Sequence, residues 1–273
     1  MTAKRIILSM LLLILSIPIA GSAINNRVDA SFRVPILLYH RFGPMVADSM
    51  TLTTPVFRSH LEYLKTHGYT VIPLRQLVNY YLRKGSPPPP KSVVITVDDG
   101  HNTVYSEMLP LVKEYHIPVT LFIYPSAISN ASYALTWNQL RELQRTGLFD
   151  IQSHTFWHPN FKRDRGRMNK TEFEESVDMQ MIKSKAKLEK ELGTKIDMLA
   201  WPFGIYDDFL IARASAAGYV AAFTLDHRST DSSDKIMTLP RYLLTDANRG
   251  RSFEWIFETR GEGKSSPNGG TVR

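Results

Sequence analysis

Two carboxylates stand side by side at the end of an apolar run, Val93-Val94-Ile95-Thr96-Val97-Asp98-Asp99, and Gly100-His101 follow them. Adjacent carboxylates on a buried strand repel each other and resist desolvation. A metal cation or a shared proton offsets both effects. Gly100 permits a sharp turn, so the two acids can address one point although side chains alternate along a strand. The same residues also suit an ordinary Asp-Gly turn, with Asp99 capping the next helix. A second cluster is Ser153-His154-Thr155-Phe156-Trp157-His158-Pro159. Two histidines four residues apart can share a face over one turn and bind one metal through their imidazoles; the alternative is one hydrogen-bonded and one exposed histidine. A third cluster, Trp201-Pro202-Phe203-Gly204, suits a rigid pocket wall or a plain aromatic turn. One carboxylate with two histidines is a recurrent ligand set for a catalytic metal, and a second carboxylate beside it supplies a general base.

The elements that must position these residues alternate along the chain. Strands are predicted at 34–40, 69–74, 92–99, 119–124, 149–153, 197–201, 219–225 and 237–244. Helices are predicted between them, at 54–65, from 74 to about 83, and at 104–115, 137–145, 209–217 and 253–259. One long helix carries the apolar stripe Phe173, Val177, Met181, Leu188, Leu192, and Thr171 with Glu174 is its expected capping box. Alternating strands and helices imply an α/β protein, a distorted (β/α) barrel with mostly parallel strands, about seven or eight of them. All three clusters follow strand C-terminal ends, the edge where such sheets bind ligands.

The chain of 273 residues has no cysteine, so disulfide scaffolds, thiolate metal sites and thiol nucleophiles are excluded. Lys4-Arg5, the apolar run Ile6–Ala20 and the small residues Gly21-Ser22-Ala23 have the layout of a secretory signal peptide cut after Ala23. The run is shorter than the roughly 20 residues of a spanning helix. Removing Lys4 and Arg5 takes the net charge from +7 to +5. The expected organisation is a leader over 1–23 and an N-terminal strand–helix segment over 24–90 that ends in the stiff spacer Pro87–Pro90. A catalytic domain over 91–260 and a flexible tail over 261–273 follow.

Thr96-Val97-Asp98-Asp99-Gly100, Ser153-His154-Thr155-Phe156-Trp157-His158-Pro159 and Trp201-Pro202-Phe203-Gly204, in this order, resemble the first three motifs of the polysaccharide deacetylases with a NodB-homology domain. The likeness covers roughly 91–245. The preceding Pro35-Ile36-Leu37-Leu38-Tyr39-His40 and Gly68-Tyr69-Thr70-Val71-Ile72-Pro73-Leu74 resemble the subgroup acting on poly-N-acetylglucosamine and related envelope polymers.

The resemblance implies a single divalent metal, zinc first with cobalt or nickel as alternatives, held by Asp99, His154 and His158. It implies Asp98 as general base and the backbone N–H of Phe203 as an oxyanion donor. Trp157, Trp201, Phe203 and Arg241 are the expected substrate contacts. Two departures stand out: Ala200 occupies the place of an Arg that steadies the catalytic Asp, and Leu239-Pro240-Arg241 stands where the family carries Leu-x-His, whose His is the general acid. Tyr39, His40 and His101 lie near strand ends, and His40 is the expected substitute acid. The partner is an acetylated polysaccharide, not a nucleic acid, with contact to a membrane surface but no spanning segment after cleavage. The alternatives are a peptidoglycan or chitooligosaccharide deacetylase, a xylan acetyl esterase, or a glycan-binding relative without catalysis. The basic run Lys162-Arg163-Asp164-Arg165-Gly166-Arg167 is expected to rim the cleft as a loop.

Overall fold

A computed structural model describes residues 33–258. The expected leader and the whole of the expected tail therefore lie outside the described residues. Twelve strands run in chain order: β1 (Arg33–Val34), β2 (Ile36–Tyr39), β3 (Arg41–Gly43), β4 (Thr51–Thr53), β5 (Thr70–Val71), β6 (Ser92–Asp99), β7 (Val119–Ile123), β8 (Phe149–Ser153), β9 (Met198–Ala200), β10 (Ala221–Phe223), β11 (Thr230–Asp231) and β12 (Tyr242–Leu243). The helices are α1 (Thr54–Thr66), α2 (Leu74–Tyr81), α3 (Leu109–Tyr115), α4 (Trp137–Arg145), α5 (Phe161–Arg165), α6 (Lys170–Leu192), α7 (Asp208–Ala216) and α8 (Arg251–Glu258).

The main sheet is parallel throughout, in the order β10-β9-β8-β7-β6-β2-β12, with β5 pairing the first residues of β6. Its two edges meet through one short segment. Leu239 bonds to Ala222 and Thr224 on the β10 side, and Tyr242-Leu243 pair with Leu37-Leu38 of β2. The predicted strand over 237–244 is thus split: its first part holds one edge and its last two residues hold the other. That split closes the sheet into a distorted barrel.

Side-chain alternation sorts the core. Val93, Ile95 and Val97 of β6 face the helices with Leu121, Ile151 and Leu199. Val94 joins Ile36, Phe122, Ala200, Phe223 and Leu239 in a smaller cluster on the sheet's other face. Asp98 continues this second row, with the same parity as Val94 and Thr96.

Two sequence expectations shift. The capping box of α6 is Asn169 with Glu172, not Thr171 with Glu174: Asn169 Oδ1 accepts from the Glu172 N–H at 3.0 Å, and Glu172 Oε2 accepts from the Asn169 N–H at 3.0 Å. Asn is at least as good a cap as Thr, and it starts the helix earlier. The basic run 162–167 is largely helical, because Asn160 caps α5 by accepting from the Arg163 N–H. No helix among the described residues is long and apolar enough to cross a membrane.

Candidate active site

Asp98 ends the inner row of β6 and is 1% exposed. Arg241, on the segment that closes the sheet, is fully buried and grips it with two parallel bonds: Nη1 to Oδ1 and Nη2 to Oδ2, each 2.8 Å. Arg241 Nε also donates to the Thr224 carbonyl at 3.1 Å, so the guanidinium ties β6 to the end of β10. Burial opposes ionisation of Asp98, but Arg241, followed by His154, outweighs it and holds the carboxyl at about 2. Asp98 is therefore anionic at neutral pH.

Asp99, one residue on, turns away from that pair. Its φ is +73° and that of Gly100 is +76°, so the strand leaves its regular twist here. A Cβ on Gly100 would come within 2.7 Å of Ile123 Cδ1, which makes glycine the residue that fits. Asp99 Oδ1 is buried and has no hydrogen-bond partner among the described residues. It lies 3.7 Å from His154 Nε2 and 3.9 Å from His158 Nε2. One atom from each of Asp99, His154 and His158 falls within 4.8 Å of the others.

Both histidines are held in the neutral form that metal ligation requires. His154 is buried, and its Nδ1–H donates to the Ala200 carbonyl at 2.8 Å, which leaves the Nε2 lone pair between Asp98 Oδ2 at 3.6 Å and Asp99 Oδ1 at 3.7 Å. Burial pulls its pKa down to about 3, against the pull of Asp98, and burial also lowers that of His158. Tetrahedral zinc at about 2.0–2.2 Å from each donor sets neighbours roughly 3.3–3.6 Å apart. The two aspartate–histidine spacings, 3.7 and 3.9 Å, are slightly wider, and the orphaned Asp99 oxygen is the kind of group a cation satisfies. The donor set fits a divalent ion.

Backbone strain gathers at this point. Eight non-glycine residues among those described have positive φ, and Asp99, Thr155, His158 and Phe203 are four of them. Left-handed conformations in ordinary residues are concentrated where a site demands them. Phe203 (φ +56°) turns its ring outward, 55% exposed, with the ring centroid 4.5 Å from that of His158. Trp157 is 47% exposed.

Two expected substrate contacts are corrected. Trp201 is fully buried and its indole N–H donates to the Met237 carbonyl at 3.0 Å, so it supports the wall rather than facing a sugar. Arg241 is likewise sealed inside, and its place against Asp98 makes up for the absence of Arg at position 200. Among the candidate acids, Tyr39 is buried with its hydroxyl bonded to His60 Nδ1 at 3.1 Å, and His101 Nδ1 pairs with Thr103 Oγ1 at 2.9 Å. His40 is partly exposed and feels the charges of both Asp98 and Asp99, although burial is the larger influence and lowers its pKa. Its Nδ1 has no partner among the described residues.

The family model described as "Polysaccharide deacetylase" matches residues 85–222, which is half of the chain. A poly-β-1,6-N-acetyl-D-glucosamine N-deacetylase of Staphylococcus epidermidis is 29% identical over 222 residues, covering 78% of this chain and 75% of that one. The Streptococcus pyogenes deacetylase PplD, solved with acetate, superposes with a TM-score of 0.74 at 21% identity, over 83% of this chain and 99% of the other. A de-N-acetylase from Aggregatibacter actinomycetemcomitans gives 0.71 at 24% identity, over 82% and 99%. These two likenesses show the shared fold. The matched segment contains β6 to β9 with all three motifs, so the chain belongs to the polysaccharide deacetylase family, hydrolases of non-peptide carbon–nitrogen bonds.

Proposed function

We propose that this protein is an exported, metal-dependent enzyme that removes N-acetyl groups from an envelope or extracellular polymer of the poly-N-acetylglucosamine type. The observation that carries the proposal is the contrast between two adjacent aspartates: Asp98 is locked onto Arg241, while Asp99 Oδ1 has no hydrogen-bond partner among the described residues and lies beside two neutral histidines. The substrate class rests on the Staphylococcus epidermidis relative. Export rests on the N-terminal sequence pattern.

Asp99, His154 and His158 would hold the ion, with zinc preferred for this oxygen and nitrogen donor set. Such an ion, when bound, polarises an acyl oxygen and brings the pKa of a water molecule to about 7. Asp98 takes the proton from the attacking water. Arg241 keeps that carboxylate anionic and fixes its orientation. The Phe203 N–H, set by its left-handed turn, donates to the oxygen that becomes negative. His40 delivers a proton to the departing amine. Trp157 and the Phe203 ring offer exposed faces to the sugar. Water and an N-acetyl unit yield acetate and a free amine.

The test is acetate release from β-1,6-linked N-acetylglucosamine oligomers by the stripped protein and after addition of zinc, cobalt or nickel. Asp98→Asn keeps shape and removes basicity. It is expected to retain metal while turnover falls by about two to four orders of magnitude. Asp99→Asn is expected to lose metal first and to be partly rescued by excess. Near-full activity in Asp98→Asn refutes the assigned base, and metal loss there with retention in Asp99→Asn reverses the two roles.

A further inference from the structure

The buried stripe of α6 includes Val177, Gln180, Met181, Ser184 and Leu188, and two of these are polar. Ser184 Oγ pairs with Ser153 Oγ at the end of β8, at 2.8 Å. Gln180 is fully buried, and its Oε1 accepts from the backbone N–H groups of both Phe156 and Trp157, each at 3.0 Å. Two donors converge on that atom, so it is the amide oxygen. Burying an amide is unfavourable unless it is bonded, and Gln180 places its bonds midway between His154 and His158. The segment there is bent twice: Thr155 has φ +65° and His158 has φ +58°. Such conformations in ordinary residues persist only where the surroundings over-determine them. On the sheet side, the His154 N–H donates to the Ile123 carbonyl at 2.8 Å and the Phe156 carbonyl accepts from the Ser126 N–H at 3.1 Å. On the helix side, Gln180 is the clamp. Between them the two imidazoles are brought to 4.5 Å between centroids.

We propose that Gln180 is a positioning residue for the metal site: its carbonyl oxygen holds the turn between His154 and His158 so that the second histidine reaches Asp99. The proposal rests on the ligand set given above and adds to it a residue that touches neither the ion nor the substrate. His154 is anchored independently, by the Ile123 carbonyl at its N–H and the Ala200 carbonyl at its ring. His158 has no such hold on its ring among the described hydrogen bonds, and it follows the two amides that Gln180 accepts. Without that acceptor, two N–H groups are left unsatisfied, which is costlier than the bonds themselves are favourable. The Phe156 and Trp157 peptides then turn to find other partners, the left-handed turn at His158 relaxes, and its imidazole leaves the other two ligands. Gln180 Nε2 has no partner among the described residues, so replacing the amide breaks these two bonds alone.

The experiment is titration of the metal-stripped protein with cobalt(II), followed by visible absorption, alongside urea unfolding of the same stripped protein. Gln180→Leu is expected to weaken cobalt binding about 10- to 100-fold, the usual effect of losing a partner that orients a ligand, and to alter the spectrum of the saturated site. Gln180→Glu keeps an oxygen acceptor there and is expected to restore both. His158→Ala is expected to weaken binding strongly in the parent and little further in Gln180→Leu, because the same ligand is lost in each. Val177→Ala, one turn earlier in the same buried stripe, is expected to lower stability and leave cobalt affinity unchanged, which separates positioning from packing. If Gln180→Leu does not fold, Gln180→Asn, which withdraws the amide by one methylene, is read in its place with the same expectation. Unchanged cobalt affinity in the Gln180 variant, a loss of equal size in Gln180→Glu, or a loss of equal size in Val177→Ala each overturn the proposal. A parent that takes up no cobalt overturns the ligand set itself, and this proposal with it, so the two failures are told apart.

Discussion

Replacing Arg241 with Met tests the centre of the site. The side chain is fully buried, its two bonds to Asp98 are 2.8 Å each, and Asp98 is itself nearly inaccessible. Methionine fills similar volume but leaves a carboxylate in the interior without its cation, a change that typically costs about 3–5 kcal/mol. The pH dependence follows from the same pair. In the parent, Asp98 sits at about 2 against an ordinary 3.8, so its contribution of about 2 kcal/mol is fully present above pH 4 and fades as pH falls toward 2. Without Arg241, burial is left largely unopposed and the folded carboxyl rises above its unfolded value. The variant then binds its proton more readily folded than unfolded, so it gains relative stability as pH falls from 7 to 4. That gain is about 1.4 kcal/mol for each unit of rise. Urea unfolding of metal-stripped protein at pH 7 and pH 4 measures both quantities. The double variant Asp98→Asn, Arg241→Met removes both charges and is expected to recover most of the loss, with a coupling of about 1–3 kcal/mol. A loss under about 1 kcal/mol at pH 7, or an equal loss at both pH values, refutes the reasoning.

His60 is buried with Nδ1 accepting from Tyr39 and Nε2–H donating to the Asn248 carbonyl at 2.5 Å, and burial lowers its pKa to about 4. Its neutral form stabilises the fold above pH 6.5, and that stability is lost as pH falls through 4. His60→Leu is expected to flatten this part of the unfolding profile by up to about 3 kcal/mol, and an unchanged slope counts against it. Gly100→Ala combines a left-handed φ with a 2.7 Å approach to Ile123, so it is expected to destabilise by about 1–3 kcal/mol and to weaken metal retention by moving Asp99. Equilibrium unfolding and metal titration of that variant check both effects.

Much of this was legible in the sequence where the physics is local. The apolar run of β6 with its terminal acids, the strand Phe149–Ser153 and the helix Trp137–Arg145 follow from periodicity and turn residues, and the structure has them at those bounds. Strand-end placement put both aspartates and both histidines at one edge of the sheet; the choice of Asp99 came from the family resemblance, and in the structure one atom each of Asp99, His154 and His158 lies within 4.8 Å of the others. What stayed hidden depends on long-range closure. β12 has two residues, too few for alternation to reveal which way Arg241 points. Position 200 looked like a loss because the compensating Arg comes from 41 residues further on, a relation no local pattern encodes. Trp201 looked like a sugar platform because its motif is aromatic, yet it is fully buried and its indole N–H is taken by the Met237 carbonyl, 36 residues further on.

The bond between Asp98 and Arg241 spans 143 positions of the chain. On a ribosome or a translocating strand, β6 emerges long before its partner. Until residue 241 is available, Asp98 has no guanidinium and the sheet has a free edge on β10 and on β2. The Asp98 carboxylate gains its cation in the same event that joins those edges. A nascent or truncated chain that ends before this point holds every proposed metal ligand but leaves Asp98 without its guanidinium, so under the proposed mechanism completion of the barrel would be the start signal for its chemistry.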